Sequence, residues 1–320
     1  MLELPDPAAA GLLSLLDGSR SERTALAVAA RHRISPQDAH ALLTTLRRAG
    51  LVVAAHTLLP QQLPDRVRRR LTPEAAALAL RGDNPTTPAQ SLRRRLAARV
   101  MVAGSGALVA PIAIALAQAG VGHVWVPEQP AAAAGARAGA GSEGRAGTAA
   151  QAAAEIVETI GRTAPGTRTT PLRRRETSFV VQVGAGAPAN LAAAGYARHR
   201  LPHLTVTVRD GTAVVGPLVP PTGAPCLNCV DLHRRDRDPE WPALAAQLAR
   251  PGDDPCAVAT TLTAAGLATA EVLSWLDGDR PATLGASLEV ATPGQVRRRR
   301  WPPHPQCACF TRRRPARARH

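Results

Sequence analysis

The sequence predicts an α/β layered fold with a mainly parallel sheet and a small N-terminal winged-helix-like domain, and three observations carry that expectation. The stretch "RVMVAGSGALVAPIAIALAQAGVGHVWVPEQP", residues 99–130, reads as strand, glycine turn, helix, glycine turn, strand. Strands and helices keep alternating after it, the pattern of a parallel sheet covered by helices. Before it, the first 57 residues carry helix, turn, helix and strand in the order of a winged helix.

Taken along the chain, "DPAAAGLLSLLDGS" spaces its leucines as a helix and ends at Asp17-Gly18. "SERTALAVAARHR" starts on Ser21, an N-cap residue, and "SPQDAHALLTTLRRAG" has Ser35 as cap, Pro36 at the first helical position and Gly50 as stop. "LVVAAH" then reads as a strand. These elements make up a domain over residues 1–57. Residues 58–98, rich in Pro, Arg and Thr, read as a linker with a short helix at 73–81. An α/β domain is expected over 99–310, and "TRRRPARARH" predicts a basic tail at 311–320. Inside the α/β domain the Ala/Gly stretch 127–152 reads as a mobile loop. A helix follows near 151–161, a strand at 178–183, a helical stretch at 189–199, and strands at "LTVTV" and "TAVVGPLV". The longest helix, 257–278, begins after Pro255, ends at Gly278 and has a wide apolar face.

Composition narrows the function classes. The apolar share of 45% supports a core, and aromatics at 2% mean that Ala, Leu and Val build it. The net charge of +15 rests on arginine alone, because the chain has no lysine. Codon usage of a GC-rich genome explains that bias more simply than a polyanionic partner. The arginine runs at 68–70, 93–95, 173–175, 297–300 and 312–314 read as solvated faces or tails. The N-terminus is acidic where a secretory n-region is basic. The apolar run at 99–126 is broken by glycines, Gln118 and His123, so no membrane span is expected. A cytoplasmic location follows, and with it cysteines that serve as ligands or buried thiols rather than disulfides.

The most specific motif is "PCLNC" paired with "HPQCAC". Cys226 and Cys229 form a CxxC, Cys307 and Cys309 a CxC. Four thiolates on two knuckles satisfy a tetrahedral Zn²⁺ with no open position, which is a structural site. The alternatives are a redox dithiol beside an incidental pair, or His304 replacing one cysteine. Cys256, at a helix start, reads as a buried small residue rather than a nucleophile.

The glycine turn, the "AGVG" after the first helix, the strand pair before "GPLVPPTGAPCLNC" and the split cysteine motif resemble the ThiF/MoeB/HesA superfamily, the ubiquitin-activating-enzyme fold. Within it, "PLVPPTGAPCLNCVDLHRRDRDPEW" and "HPQCAC" look most like degenerate ThiF-like proteins linked to azole-modified peptides. Their N-terminal part resembles a PqqD-like domain that holds a leader peptide. The resemblance implies ATP-dependent adenylation of a small carrier protein's C-terminus in active members. Its catalytic pattern does not carry over. The nucleotide turn matches 104–109, with Gly104 and Gly106 as the cofactor-binding residues, but lacks the second glycine pair. The ribose acid falls on the displaced Glu128, the phosphate-binding lysine has no counterpart, and "VGAGAPAN" offers no acid for Mg²⁺. No catalytic residue is therefore assigned, and ATP is not expected. The PqqD-like peptide-binding hairpin would precede the first helix, yet the sequence runs almost directly from "MLELPDP" into it. Either the start lies upstream or that edge is incomplete.

Three functions compete. The first is a non-catalytic scaffold that presents a precursor or leader peptide to a partner cyclodehydratase, with "LVVAAH" as an edge for strand addition. A homodimer is compatible with it. The second is a ThiF-type adenylyltransferase that uses arginine for the lost lysine. The third is a winged-helix DNA-binding regulator, for which Gln37, Thr44, Arg47 and Arg48 are a sparse contact set.

Overall fold

The computed structural model describes residues 8–31, 34–81, 86–128, 142–184, 195–196, 199–222, 225–248, 255–292 and 294–311. The helical stretch expected at 189–199 and the tail at 312–320 fall largely or wholly outside them. Two compact units divide at Arg93/Arg94.

In the N-terminal unit, α1 (Ala8–Leu15), α2 (Glu22–Arg31) and α3 (Pro36–Arg48) enclose Leu12, Ala29, Ile34 and Ala39. The expected caps are in place. Ser21 Oγ accepts from the Thr24 N–H at 3.2 Å, and Ser35 Oγ accepts from the Asp38 N–H at 3.1 Å. The strand expected at "LVVAAH" does not form. Residues 51–54 are irregular and a short helix, α4 (Ala55–Leu58), takes the rest. A β-branched pair without a partner strand has nothing to complete its backbone hydrogen bonds. Peptide addition at this edge is thereby overturned.

Residues 58–98 are mostly helical rather than linker. α5 (Asp65–Ala79) starts eight residues before the expected position, capped by Pro64 with Asp65 in its first turn, where the helix dipole favours an acid. Pro73, read as a helix start, lies inside it; burial of Leu71 and Ala75 outweighs the backbone bond that proline forfeits. α6 (Pro88–Ala97) spans the division between the units.

The second unit is built on a seven-stranded sheet in the order β2-β1-β3-β4-β5-β6-β7. β1 (Arg99–Gly104), β2 (His123–Trp125), β3 (Phe179–Val183) and β4 (His203–Arg209) are parallel. β5 (Thr212–Val219), β6 (Ala286–Thr292) and β7 (Gln295–Arg300) add antiparallel ladders, so β6 again runs with the first four. This is a Rossmann-type α/β fold. β6 and β7 have no counterpart in the sequence reading. The arginine run of β7 shows no apolar alternation, and its ladder with β6 is what makes it a strand.

α7 (Val109–Gln118) packs on β1 and β2, between α8 (Ser142–Thr163) and the 20-residue helix Val258–Asp277. α8 begins inside the stretch read as a mobile loop. The long helix covers β4, β5 and β6, and Gly278 ends it in the left-handed region at φ +89°, as its position after the last apolar turn predicts. Its C-terminus meets α6 through Arg95, a member of an arginine run read as solvated. Arg95 is fully buried, and its Nε and a terminal nitrogen donate to the two Asp277 carboxylate oxygens at 2.8 and 2.6 Å. Arg94 donates to the Asp277 carbonyl.

Candidate functional site

Two short elements bring the four cysteines together. Cys226 caps α9 (Leu227–Arg235), and Cys229 lies one turn on, so the CxxC spacing sets both sulfurs on one side of the helix start. The Cys229 N–H donates to the Cys226 carbonyl at 3.0 Å. From the C-terminal side, the Cys307 N–H donates to the His304 carbonyl at 3.0 Å, and Cys309 follows on a short helix, Ala308–Thr311. All four Sγ atoms lie within 4.8 Å of one another. Cys229 and Cys309 stand at 3.2 Å, Cys226 and Cys307 at 3.5 Å, and Cys226 and Cys229 at 3.9 Å. Sulfurs about 2.3 Å from a tetrahedral centre would be roughly 3.8 Å apart, so the donor set fits a thiolate-bound metal ion.

The electrostatics agree with that fit. Without a cation the cluster favours one thiolate. The Cys226 sulfhydryl, donating to Cys229, draws the Cys229 pKa down to about 4. The same hydrogen bond pushes Cys226 up, and burial pushes Cys309 up to about 12. Further ionisation needs a positive centre.

Two residues outside the expected ligand set donate to the sulfurs. Asn228 Nδ2 donates to Cys307 Sγ at 3.3 Å, and the backbone N–H of His304 donates to Cys229 Sγ at 3.3 Å. The Gln306 N–H donates to His304 Nδ1 at 3.1 Å, which leaves Nε2 to donate to Asp236 at 2.7 Å. His304 therefore locks the C-terminal knuckle to the end of α9 and is not a substitute ligand. The sequence reading missed both Asn228 and Asp236: for Asn228 the signal is its place between the cysteines of "CLNC", and Asp236 carries none. Cys256 lies apart from the cluster, half-buried, its thiol 4.0 Å from the Gly211 carbonyl.

At the glycine turn, Gly104 has φ +119°, and a Cβ there would stand 1.8 Å from the Val183 carbonyl oxygen of β3. The bare Cα lets two parallel strands close at their C-terminal ends. Gly106 has φ +99° and accepts from the Val109 N–H at 3.2 Å as α7 begins. Gly122 of "AGVG" serves packing too, since a Cβ would stand 1.8 Å from the Leu96 carbonyl oxygen. Glu128 is exposed beyond β2. The polar face of α3 loses one DNA-contact candidate, because Arg47 is committed to Glu22 at 2.6 and 3.1 Å.

No family model and no curated protein matches the chain by sequence. Solved structures do match it in fold. E. coli MccB with ATP aligns at 15% identity and TM-score 0.58, over 93% of this chain and 90% of that one. The microcin C7 biosynthetic enzyme MccB in complex with N-formylated MccA aligns at 13% and 0.58, over 93% and 90%. PaaA aligns at 13% and 0.60, over 94% and 91%. No described helix is long and apolar enough to cross a membrane.

Proposed function

We propose that the chain is a non-catalytic ThiF-like scaffold that binds a precursor peptide and presents it to a separate cyclodehydratase. The observation that carries this reading is at the nucleotide turn. Gly104 is required by the close approach of Val183, so the turn's glycine is explained without a phosphate. A chain with no lysine supplies no ammonium for the phosphates, and the turn itself (Gly104–Leu108) holds no charged side chain. Transition-state stabilisation in phosphoryl chemistry depends on such groups. The peptide half of the reading is supported by likeness of fold to MccB solved in complex with N-formylated MccA.

The cysteine cluster completes the scaffold. Cys226, Cys229, Cys307 and Cys309 would hold one Zn²⁺ that pins the C-terminal segment to α9 and takes no part in chemistry.

A second reading, adenylation of a carrier, is favoured by one observation: MccB of the same fold has been solved with ATP. Two measurements separate the readings. Calorimetry with ATP-Mg and with peptides encoded beside this gene should give peptide binding and no nucleotide binding. Peptide-stimulated pyrophosphate exchange would restore the enzyme reading. A duplex DNA competitor at physiological salt tests the regulator reading, which needs steeply salt-dependent affinity.

A further inference from the structure

The open edge of the sheet carries an arrangement that the scaffold reading does not use. Arg234, near the end of α9, stands over two indoles, 4.6 Å from the ring centre of Trp241 and 5.6 Å from that of Trp301. Arg209 stands over Trp241 at 5.5 Å; Arg237 and Arg299 stand over Trp301 at 5.7 and 5.0 Å. Trp241 and Trp301 are themselves anchored, donating to Asp231 at 3.1 Å and to Ser287 at 2.9 Å.

Four guanidinium groups thus converge where acids are few. Two acids face them: Glu289 is shared by Arg299 at 3.5 Å and Arg297 at 3.9 Å, and Asp231 accepts from the Trp241 N–H while its charge attracts Arg234 and Arg209. Among the described residues the Arg234 guanidinium has stacking partners and no hydrogen-bond acceptor. Burial, and then repulsion from Arg209, hold its pKa down near 10. A guanidinium held over aromatic rings keeps its edge donors for an oxyanion, which it grips in bidentate fashion.

β7 adds direction. Among the described residues it pairs only with β6, so its outer edge is open. The ladder sets Arg297 opposite Glu289 and Arg299 opposite Ser287, which puts both arginines on the face that carries Trp301. Alternate side chains of a strand added to β7 would fall on that same face. A second copy of β7 would meet its own arginines there and be repelled, whereas an acidic strand would be drawn in.

We propose that the arginine–tryptophan stack and the β7 edge together form a binding surface for an extended acidic peptide segment, held by strand addition and by carboxylates on alternate positions. This rests on the reading of the chain as a peptide-handling protein and names where the peptide docks.

The test uses the full chain and an N-acetylated octapeptide of alternating Glu and Thr, followed by tryptophan fluorescence. Expected are saturable, salt-sensitive binding, at least tenfold loss in Arg234→Gln and in Arg299→Gln, and none in Arg162→Gln. Methylating alternate backbone amides of the peptide should abolish binding, because strand pairing needs them. Thermal melts check that each variant is folded, and one folded variant of the two suffices. Binding that survives both substitutions, or survives amide methylation, overturns the proposal. So does displacement of the peptide by millimolar inorganic phosphate, preference for single-stranded DNA of equal charge, or no binding at all. A gene-neighbourhood peptide that binds wild type and both variants alike sinks this surface and leaves the scaffold reading standing. The reverse result, acidic octapeptide bound and neighbourhood peptides ignored, leaves the surface and removes the scaffold reading.

Discussion

Asn228 and the His304 backbone each aim an N–H at a cysteine sulfur, and such donors matter most when the sulfur is a thiolate. These donors suit sulfurs that carry negative charge. If it holds zinc, metal analysis should give about one ion per chain. Cys229→Ser should lose the ion and several kcal/mol of stability, on the order of the binding energy a structural site adds to folding. Retained zinc in that variant would mean that the ligand set is wrong. Gly104 makes a different prediction. Alanine there meets a backbone oxygen, which cannot rotate away, in a region of φ that L side chains rarely adopt. Gly104→Ala should lower stability by roughly 3 kcal/mol or more in denaturant titration. Gly161→Ala, with open space around it in α8, is the control.

Elements rather than single contacts decide how α6 behaves. Arg95 binds the carboxylate at the end of the Val258–Asp277 helix and also the Ala119 carbonyl after α7, at 3.2 Å. Removing the acid leaves a buried guanidinium without its counter-charge, so Asp277→Ala should cost about 3–5 kcal/mol in thermal or chemical denaturation. The double variant Arg95→Met, Asp277→Leu should recover most of that. β4 contributes a pH dependence. His203 is 3% exposed, its ring centre 4.3 Å from that of Tyr196 in a tilted pair, and its Nδ1–H donates to the Leu201 carbonyl at 3.0 Å. Burial lowers its pKa from 6.5 to about 4, so the unfolded chain takes up the proton first. Stability from this group is complete above about pH 6.5 and declines as pH falls toward 4, by roughly 3 kcal/mol in all. In His203→Gln that stretch of the stability–pH curve should flatten. Where local pattern and tertiary pairing agree, as in β4, β5 and the long helix, the sequence was legible. It misled where pairing alone decides, at "LVVAAH" without a partner strand and at the arginines of β7 with one.

Across the whole molecule, the clustering of four cysteines was legible because their paired spacing states a chemistry directly. The arginines were not, because composition reports only their number. One run held both the fully buried Arg95 and the exposed Arg93, and another supplied Arg299 to a tryptophan. For Arg95 the counter-charge, Asp277, comes from 182 positions away, and no window of sequence contains it. The cysteine cluster has a bearing on how the chain finds its fold. Cys226 and Cys307 are 81 positions apart, and between them lie α9, the long helix and the β6–β7 hairpin. A metal clasped there turns that whole stretch into a closed ring. In the chain-entropy picture, a ring of that length takes about 4–5 kcal/mol of conformational freedom from the unfolded state. It also makes the late strands near neighbours of β5 before the sheet has grown to meet them, shortening a search that sequence separation would otherwise make slow.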